Sequence, residues 1–315
     1  MITNHHIKQN KMLTIVYQIL PLFLIILLGG LFGYGNKNFN EKTVAELNRY
    51  AYYIGFPTII INSFLSIDTI PKVEIQTAFI NVGILTAFMF LVIWITGKLF
   101  KNERLQNTYF VCAIFGNVAY LGFPLVYSID ANYSTSLSLH IAGYLLVMFT
   151  LGIAKLEISK NKGELNYSKL AKSIVLNPLL LGTFIGIMIT VLGISIPDVG
   201  KRTIGMLSAS ASPVVLFALG IFIAKNKIVK SSLAHASAIS ILKLIVLPFI
   251  FYGLSRTIFT DFTMPVSIIM AAMPVAITPF VLSEIYDMDK KIIVSAIIMS
   301  TILASFWLPL VIGWA

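Results

Sequence analysis

Asn117 stands seven residues before Pro124 in FGNVAYLGFP (Phe115–Pro124), and a later stretch, MPVAITP (Met273–Pro279), holds Pro274, Thr278 and Pro279. Gly116, Gly122 and Pro124 in the first stretch, and Pro274 and Pro279 in the second, weaken or remove helical backbone bonds. Both stretches nevertheless lie inside apolar runs long enough to cross a bilayer. A backbone N–H or C=O freed in hydrocarbon costs several kcal/mol, so such a break persists only where protein or a water-filled cavity covers it. Two breaks, one in each half of a repeated membrane protein, point to the binding site of a secondary carrier. The amide of Asn117 either hydrogen-bonds a ligand there or holds the break together, an interhelical role worth about 0.6 kcal/mol in membranes. Tyr120 and Thr278 offer hydroxyls of the same double kind. If half-helix N-termini face each other across the gap, each brings roughly half a positive charge. Such a gap suits a carboxylate without any charged side chain.

Lys243, in ILKLIVLP, is the ionisable residue placed well inside an apolar run. Burying it costs at least ~2.5 kcal/mol on insertion scales, so it must face the protein interior or a cavity. It is either a counter-ion for the ligand, or a long stem snorkelling to the interface, or a donor to carbonyls freed by Pro248. Glu284 and Asp287 fall near a span end and Asp130 and Asp261 in loops, which argues against a cation exchanger built on a buried aspartate. Sodium held by carbonyls stays open. Cys112 is alone, so neither a disulfide nor a cysteine metal cluster can form, and no metal or cofactor is expected. The chain has no GxxxxGK[ST], HExxH or GxSxG, so nothing points to an enzyme. Gly29–Gly35 (GGLFGYG) and Ser208–Pro213 (SASASP) read as small-residue faces for close helix packing.

The elements that must position these residues follow from composition. With 57% hydrophobic and 11% charged residues, the chain departs from the roughly 25% charge of soluble domains. It divides into ten apolar spans: 12–34, 43–66, 76–99, 106–128, 134–158, 170–193, 203–224, 231–257, 263–286 and 291–314. The fold class is therefore an all-α polytopic membrane protein, with the fourth and ninth spans broken. Sixteen Lys and Arg lie in loops on one side and six on the other. The positive-inside rule puts the sixteen in the cytoplasm and both ends of the chain outside the cell. The net charge of +10 is thus a topology signal, and no nucleic-acid partner is expected. Pro21 and Pro178, Pro57 and Pro213, and Pro124 and Pro279 recur at nearly constant offset, as do Gly29 and Gly186. Five spans per half make the repeat an inverted one: residues 1–158, a cytoplasmic linker at 159–169, and residues 170–315.

In these stretches the chain resembles the auxin efflux carrier family, the bacterial relatives of plant PIN-type carriers, over essentially its whole length. The resemblance rests on Phe115–Pro124, LNPLLLGTFIG (Leu176–Gly186), SPVVLFALGIFIA (Ser212–Ala224), LKLIVLP (Leu242–Pro248) and AAMPVAITPFVLSEIY (Ala271–Tyr286). It implies two inverted five-helix repeats of the bile-acid symporter type, with broken spans 4 and 9 crossing. It further implies a scaffold of spans 1, 2, 6 and 7 that forms a homodimer surface, and a mobile unit of spans 3–5 and 8–10. The crossover prolines become Pro124 and Pro279, with Asn117 lining the site. PIN-type carriers also place an asparagine beside the second crossover; only Thr278 stands there in this chain. The implied function is therefore elevator-type transport, by efflux across the plasma membrane, of small carboxylates and dicarboxylates, with auxin-like acids as the wider class. Rival expectations are a sodium- or proton-coupled importer on the same fold, and a sensor or channel that does not transport.

Overall fold

The computed structural model describes the backbone of residues 2–314 apart from 66, 68, 162–166 and 259–263. The side chains of 2–12, 169, 173, 255–258, 264 and 314 are outside it too. Lys8, Lys11, Lys162, Lys169, Arg256 and Asp261, which entered the charge reading, and the centre of the linker therefore lie outside the described residues.

Helices make up all the described regular structure. In order they are α1 (Ile2–Gly35), α2 (Glu41–Tyr50), α3 (Phe56–Phe64), α4 (Lys72–Leu99), α5 (Glu103–Ile114), α6 (Phe123–Ile129), α7 (Ser134–Val147) and α8 (Ile153–Lys160). The second half continues with α9 (Tyr167–Val175), α10 (Pro178–Val191), α11 (Asp198–Lys225), α12 (Leu233–Ile241), α13 (Leu247–Ile258), α14 (Met264–Ala271), α15 (Thr278–Leu282) and α16 (Lys290–Trp314). Wide π-helical turns at Ala51–Gly55, Met148–Gly152 and Leu242–Val246 carry α2 into α3, α7 into α8 and α12 into α13 without ending the rod.

Among the described residues, six stretches are long and apolar enough to cross a bilayer: 13–35, 72–99, 131–160, 198–225, 230–254 and 290–313. They make this a multi-pass membrane protein. The remaining apolar segments are shorter because the sequence interrupts them. An interruption not expected from the sequence falls at Leu176–Asn177, splitting the span 170–193. Pro178 cannot continue the hydrogen-bond ladder of α9. Asn177 restarts it by accepting from the Leu179 and Leu180 amides at 3.0 and 3.3 Å.

Large apolar side chains are both buried and outward-facing, as a lipid solvent requires. Phe56, Phe64, Phe110, Tyr144 and Phe251 fill the interior, while Leu24, Leu27 and Leu31 of α1 and Phe79, Phe90 and Trp94 of α4 face out. Helix cohesion must then come from close packing rather than from the hydrophobic effect. α1 lies along α11 with backbones nearly touching: a Cβ on Gly29 would fall onto the Phe217 carbonyl, and one on Gly220 onto the Ile26 carbonyl. α10 sits against α3 in the same manner, Gly182 meeting the Pro57 backbone. Gly220→Val should push α1 from α11 and cost about 1–3 kcal/mol or more. The expected result is a clear fall in the unfolding temperature of the detergent-solubilised protein. Gly83→Ala, into open space on α4, should leave it unchanged or slightly raised.

Candidate functional site

α5 stops at Ile114 and α14 stops at Ala271, and the two freed stretches run past each other. The Asn117 amide donates to the Pro274 carbonyl at 2.8 Å, and the Ala276 amide donates to the Phe115 carbonyl at 2.9 Å. Gly116 and Val275 are thereby paired as a short antiparallel bridge. The Val275 amide donates to Ser300 Oγ on α16 at 3.1 Å. The polar backbone groups exposed by one break are thus satisfied by the other, as hydrocarbon demands. Pro279 sits in the first turn of α15, where a missing N–H costs nothing. Ahead of Pro124 the helix restarts at a π-helical turn, Val118–Gly122, that runs directly into α6, and the breaks themselves lie at Phe115–Asn117 and Ala272–Ile277. Gly122 packs beneath the Met270 and Met273 sulfurs, with no room for a side chain.

Asn117, Tyr120 and Thr278 come together around one cavity of about 50 Å³, floored by Gly116 and Ala276 and closed by Tyr52 and Leu179. The Tyr120 ring stacks on Phe56, centroids 4.7 Å apart and planes 17° off parallel. The Asn117 carbonyl accepts from the Leu121 and Gly122 amides at 3.2 and 3.0 Å, so the residue anchors the helix that restarts beside the cavity. That volume holds roughly one or two waters and is well below the ~300 Å³ at which small-molecule sites begin. A second cavity, of about 750 Å³, opens between α3 and α11 on one wall and α6 and α7 on the other. Pro124 and Tyr127 line it with Asn62, Thr135, Lys201 and Ser212.

Lys243 does not line either cavity. Its side chain is fully buried, which excludes snorkelling, and its Nζ donates to the Ala271 carbonyl at 3.3 Å rather than to a carbonyl freed by Pro248. Ala271 is the last residue of α14, so the ammonium meets the negative end of that half-helix. A Cβ on Gly116 would lie 2.7 Å from both Lys243 Cε and Nζ. Gly116 therefore touches the lysine and lines the Asn117 cavity at once, and only glycine permits this approach.

Two polar groupings were not foreseen. Asn81 of α4, His140 of α7 and Ser267 of α14 meet in the interior, all fully buried or nearly so. Glu157 of α8 accepts from the Tyr286 hydroxyl at 2.5 Å, tying α8 to the chain beyond α15. The signal was available, because a histidine or asparagine inside an apolar run is a functional candidate by default.

A family model described as a membrane transport protein matches residues 14–312. An "Uncharacterized transporter" of Methanothermobacter thermautotrophicus is 26% identical over 275 residues, covering 86% of this chain and 88% of the relative. A "Putative malonate transporter" of Rhizobium meliloti is 24% identical over 297 residues, 91% of each chain. "Auxin efflux carrier component 8" of Arabidopsis thaliana is 27% identical over 139 residues, 42% of this chain and 38% of the relative.

Replacing Ser300 by Ala would leave the Val275 amide buried without its acceptor, a loss of roughly 1–3 kcal/mol. Thermal unfolding should show Ser300→Ala less stable than the parent, with Ser300→Thr, which keeps the hydroxyl, recovering part of the difference.

Proposed function

From the premise that the chain belongs to the membrane transport protein family, whose model it matches over residues 14–312, we propose that it is a secondary carrier of small organic anions. The observation that carries this reading is the meeting of Asn117, Tyr120 and Thr278 around one cavity where two interrupted helices cross. The amide and hydroxyls supply neutral donors to a carboxylate, and the helix restarting after Asn117 directs its positive end the same way. Lys243 supplies the nearest buried positive charge, already engaged with Ala271, and acts on the anion through the field and not by contact. The relative named a malonate transporter supports a small dicarboxylate as the first ligand to test.

Alternating access fits the packing. With spans paired first to sixth, second to seventh and so on, the close contact of α1 with α11 corresponds to that of α10 with α3. The contact of α4 with α7 corresponds likewise to that of α12 with α16. This correspondence favours ten spans in two inverted repeats, a scaffold of α1–α3 and α9–α11, and a mobile unit carrying the crossing. The cavity of about 750 Å³ lies between scaffold and mobile unit, and an elevator-like displacement of the crossing would exchange its accessible side. In this reading the protein is a homodimer joined through the scaffold, in the plasma membrane, with the ends of both terminal spans outside. For a monoanion moving without a coupled ion, an inside-negative potential favours export, because one charge gains about 2.3 kcal/mol per 100 mV, roughly a 45-fold gradient.

Counterflow of radiolabelled malonate into liposomes loaded with unlabelled malonate tests the proposal. The expected result is saturable counterflow, inhibited by other short carboxylates and insensitive to a sodium gradient, since an ammonium already occupies the carbonyl end of α14. Unsaturable conductance would mark a channel, and binding without flux a sensor. Asn117→Ala should lower counterflow about tenfold or more, a loss consistent with removing a bond to a charged ligand of 1.5–3 kcal/mol. Lys243→Met, similar in length but uncharged, should raise the concentration needed for half-maximal counterflow while the protein stays monodisperse.

A further inference from the structure

The buried cluster of Asn81, His140 and Ser267 has no part in the crossing described above, yet it joins three helices of the proposed mobile unit. His140 Nδ1 lies 2.7 Å from the Ser136 carbonyl. A carbonyl only accepts, so Nδ1 carries a hydrogen. Nε2 faces Ser267 Oγ at 3.0 Å and the side-chain amide of Asn81, which itself reaches Ser267 Oγ at 3.1 Å. With Nε2 unprotonated, the Asn81 –NH₂ must point to it, and Asn81 Oδ1 is then left without a partner among the described residues. Turning the amide over brings Oδ1 to Nε2, which requires a hydrogen on Nε2 as well. The cluster therefore accommodates one proton more or less through an amide rotation, with no change of backbone.

The two helices that flank it carry further buried polar groups. Glu74, Thr77 and Asn81 are buried at i, i+3 and i+7, one face of α4. Ser136, His140 and Tyr144 are buried at i, i+4 and i+8, one face of α7, and α4 packs on α7. Glu74 Oε2, Asn81 Oδ1, Ser136 Oγ and the Tyr144 hydroxyl are buried without a hydrogen-bond partner among the described residues. Native interiors rarely leave polar atoms so, and a file of them leading from the first turn of α4 is what a proton relay uses. The other elements packed on α7 bring few titratable groups. Tyr127 lies on α6, Tyr133 and Asp130 on the turn before α7, and Lys72 and Lys98 at the ends of α4; α3, α10 and α14 carry none. α13, whose Phe251 ring lies against Tyr144, adds Tyr252, and among the described residues the charges of α4 are Glu74 on the buried face and the two lysines at its ends.

Ser267 and Ala271 are one turn apart on α14, about 6 Å along its axis, and Ala271 accepts from Lys243. A proton on His140 thus adds a second positive charge beside the helix whose end Lys243 meets, and through its field proton and anion would each favour binding of the other. We propose that the Asn81–His140–Ser267 cluster is a proton-binding site that loads together with the anion, so that the two cross in the same direction. This rests on the carrier reading given above. The proton adds to the Nε2 lone pair from the more acidic compartment and leaves to the other after the crossing has moved.

The test uses proteoliposomes with the potential clamped by valinomycin and equal potassium, an acidic exterior and radiolabelled malonate. The parent should accumulate label several-fold above the level reached without a pH gradient. In His140→Gln the ratio of gradient-driven accumulation to counterflow should fall to the value seen without a gradient. Parent protein that performs counterflow but ignores the pH gradient would overturn the proposal and leave the carrier reading standing, as would a His140→Gln ratio equal to the parent's. If His140→Gln does not fold, pyranine trapped in parent vesicles decides instead. Malonate entry should acidify the lumen beyond protein-free vesicles, and no excess acidification would refute co-movement. Absence of counterflow by the parent with any short carboxylate would remove the carrier reading and this proposal with it.

Discussion

The structure depends on two short lengths of main chain that cannot be helical and cannot be bare. Phe115–Asn117 and Pro274–Ala276 each interrupt a helix in the apolar interior, and they exchange backbone hydrogen bonds with each other. In water either break would be inexpensive; in hydrocarbon each unpaired group costs several kcal/mol. The bridge between Gly116 and Val275 is therefore what makes both breaks affordable, and it lies where α5 and α14 end. Ser300 completes the pairing from α16, so the helix that closes the chain is part of the same solution.

That crossing is electrically uneven. α5 and α14 bring their carbonyl ends to it, whereas α6 and α15 bring their amide ends. Lys243, on a helix of its own, meets the carbonyl end of α14 and presses on Gly116. Asn117, Tyr120 and Thr278 gather instead around the cavity at the amide ends. The lysine thus meets the carbonyl pole while the three neutral polar side chains lie at the opposite one, and the anion-carrier proposal rests on this division. The same lysine ties its own helix to the end of α14, the helix that also carries Ser267 of the histidine cluster.

Packing distributes freedom in a matching way. α1 against α11 and α10 against α3 meet backbone to backbone, with glycines where a methyl group would collide. Such contacts resist sliding because there is no side chain to repack. Between these helices and the crossing lies open volume, and the alternating access proposed above relies on this contrast.

Much of this was legible in the residues themselves. Length and hydropathy pointed to a helical membrane protein, because continuous apolar runs of roughly 20 residues satisfy their own backbone in lipid as helices. Gly and Pro inside apolar runs located the two breaks, since those residues weaken the helical ladder wherever they occur. Asn117, Tyr120 and Thr278 could be singled out because hydroxyls and amides are costly in such surroundings. The break before Pro178 was missed although Asn177 followed by Pro178 carries the signature of a helix start, because both lie within a stretch apolar enough to read as one span. Three-dimensional packing alone decided that Lys243 caps α14 and does not snorkel, because the choice depends on whether Ala271, 28 residues away, lies within reach of its ammonium. It alone brought Asn81, His140 and Ser267 together, 59 and 127 residues from one another along the chain. Composition and local spacing act through the chain's own backbone and are written in order; contacts between distant helices depend on their mutual rotation and depth, which no single stretch encodes.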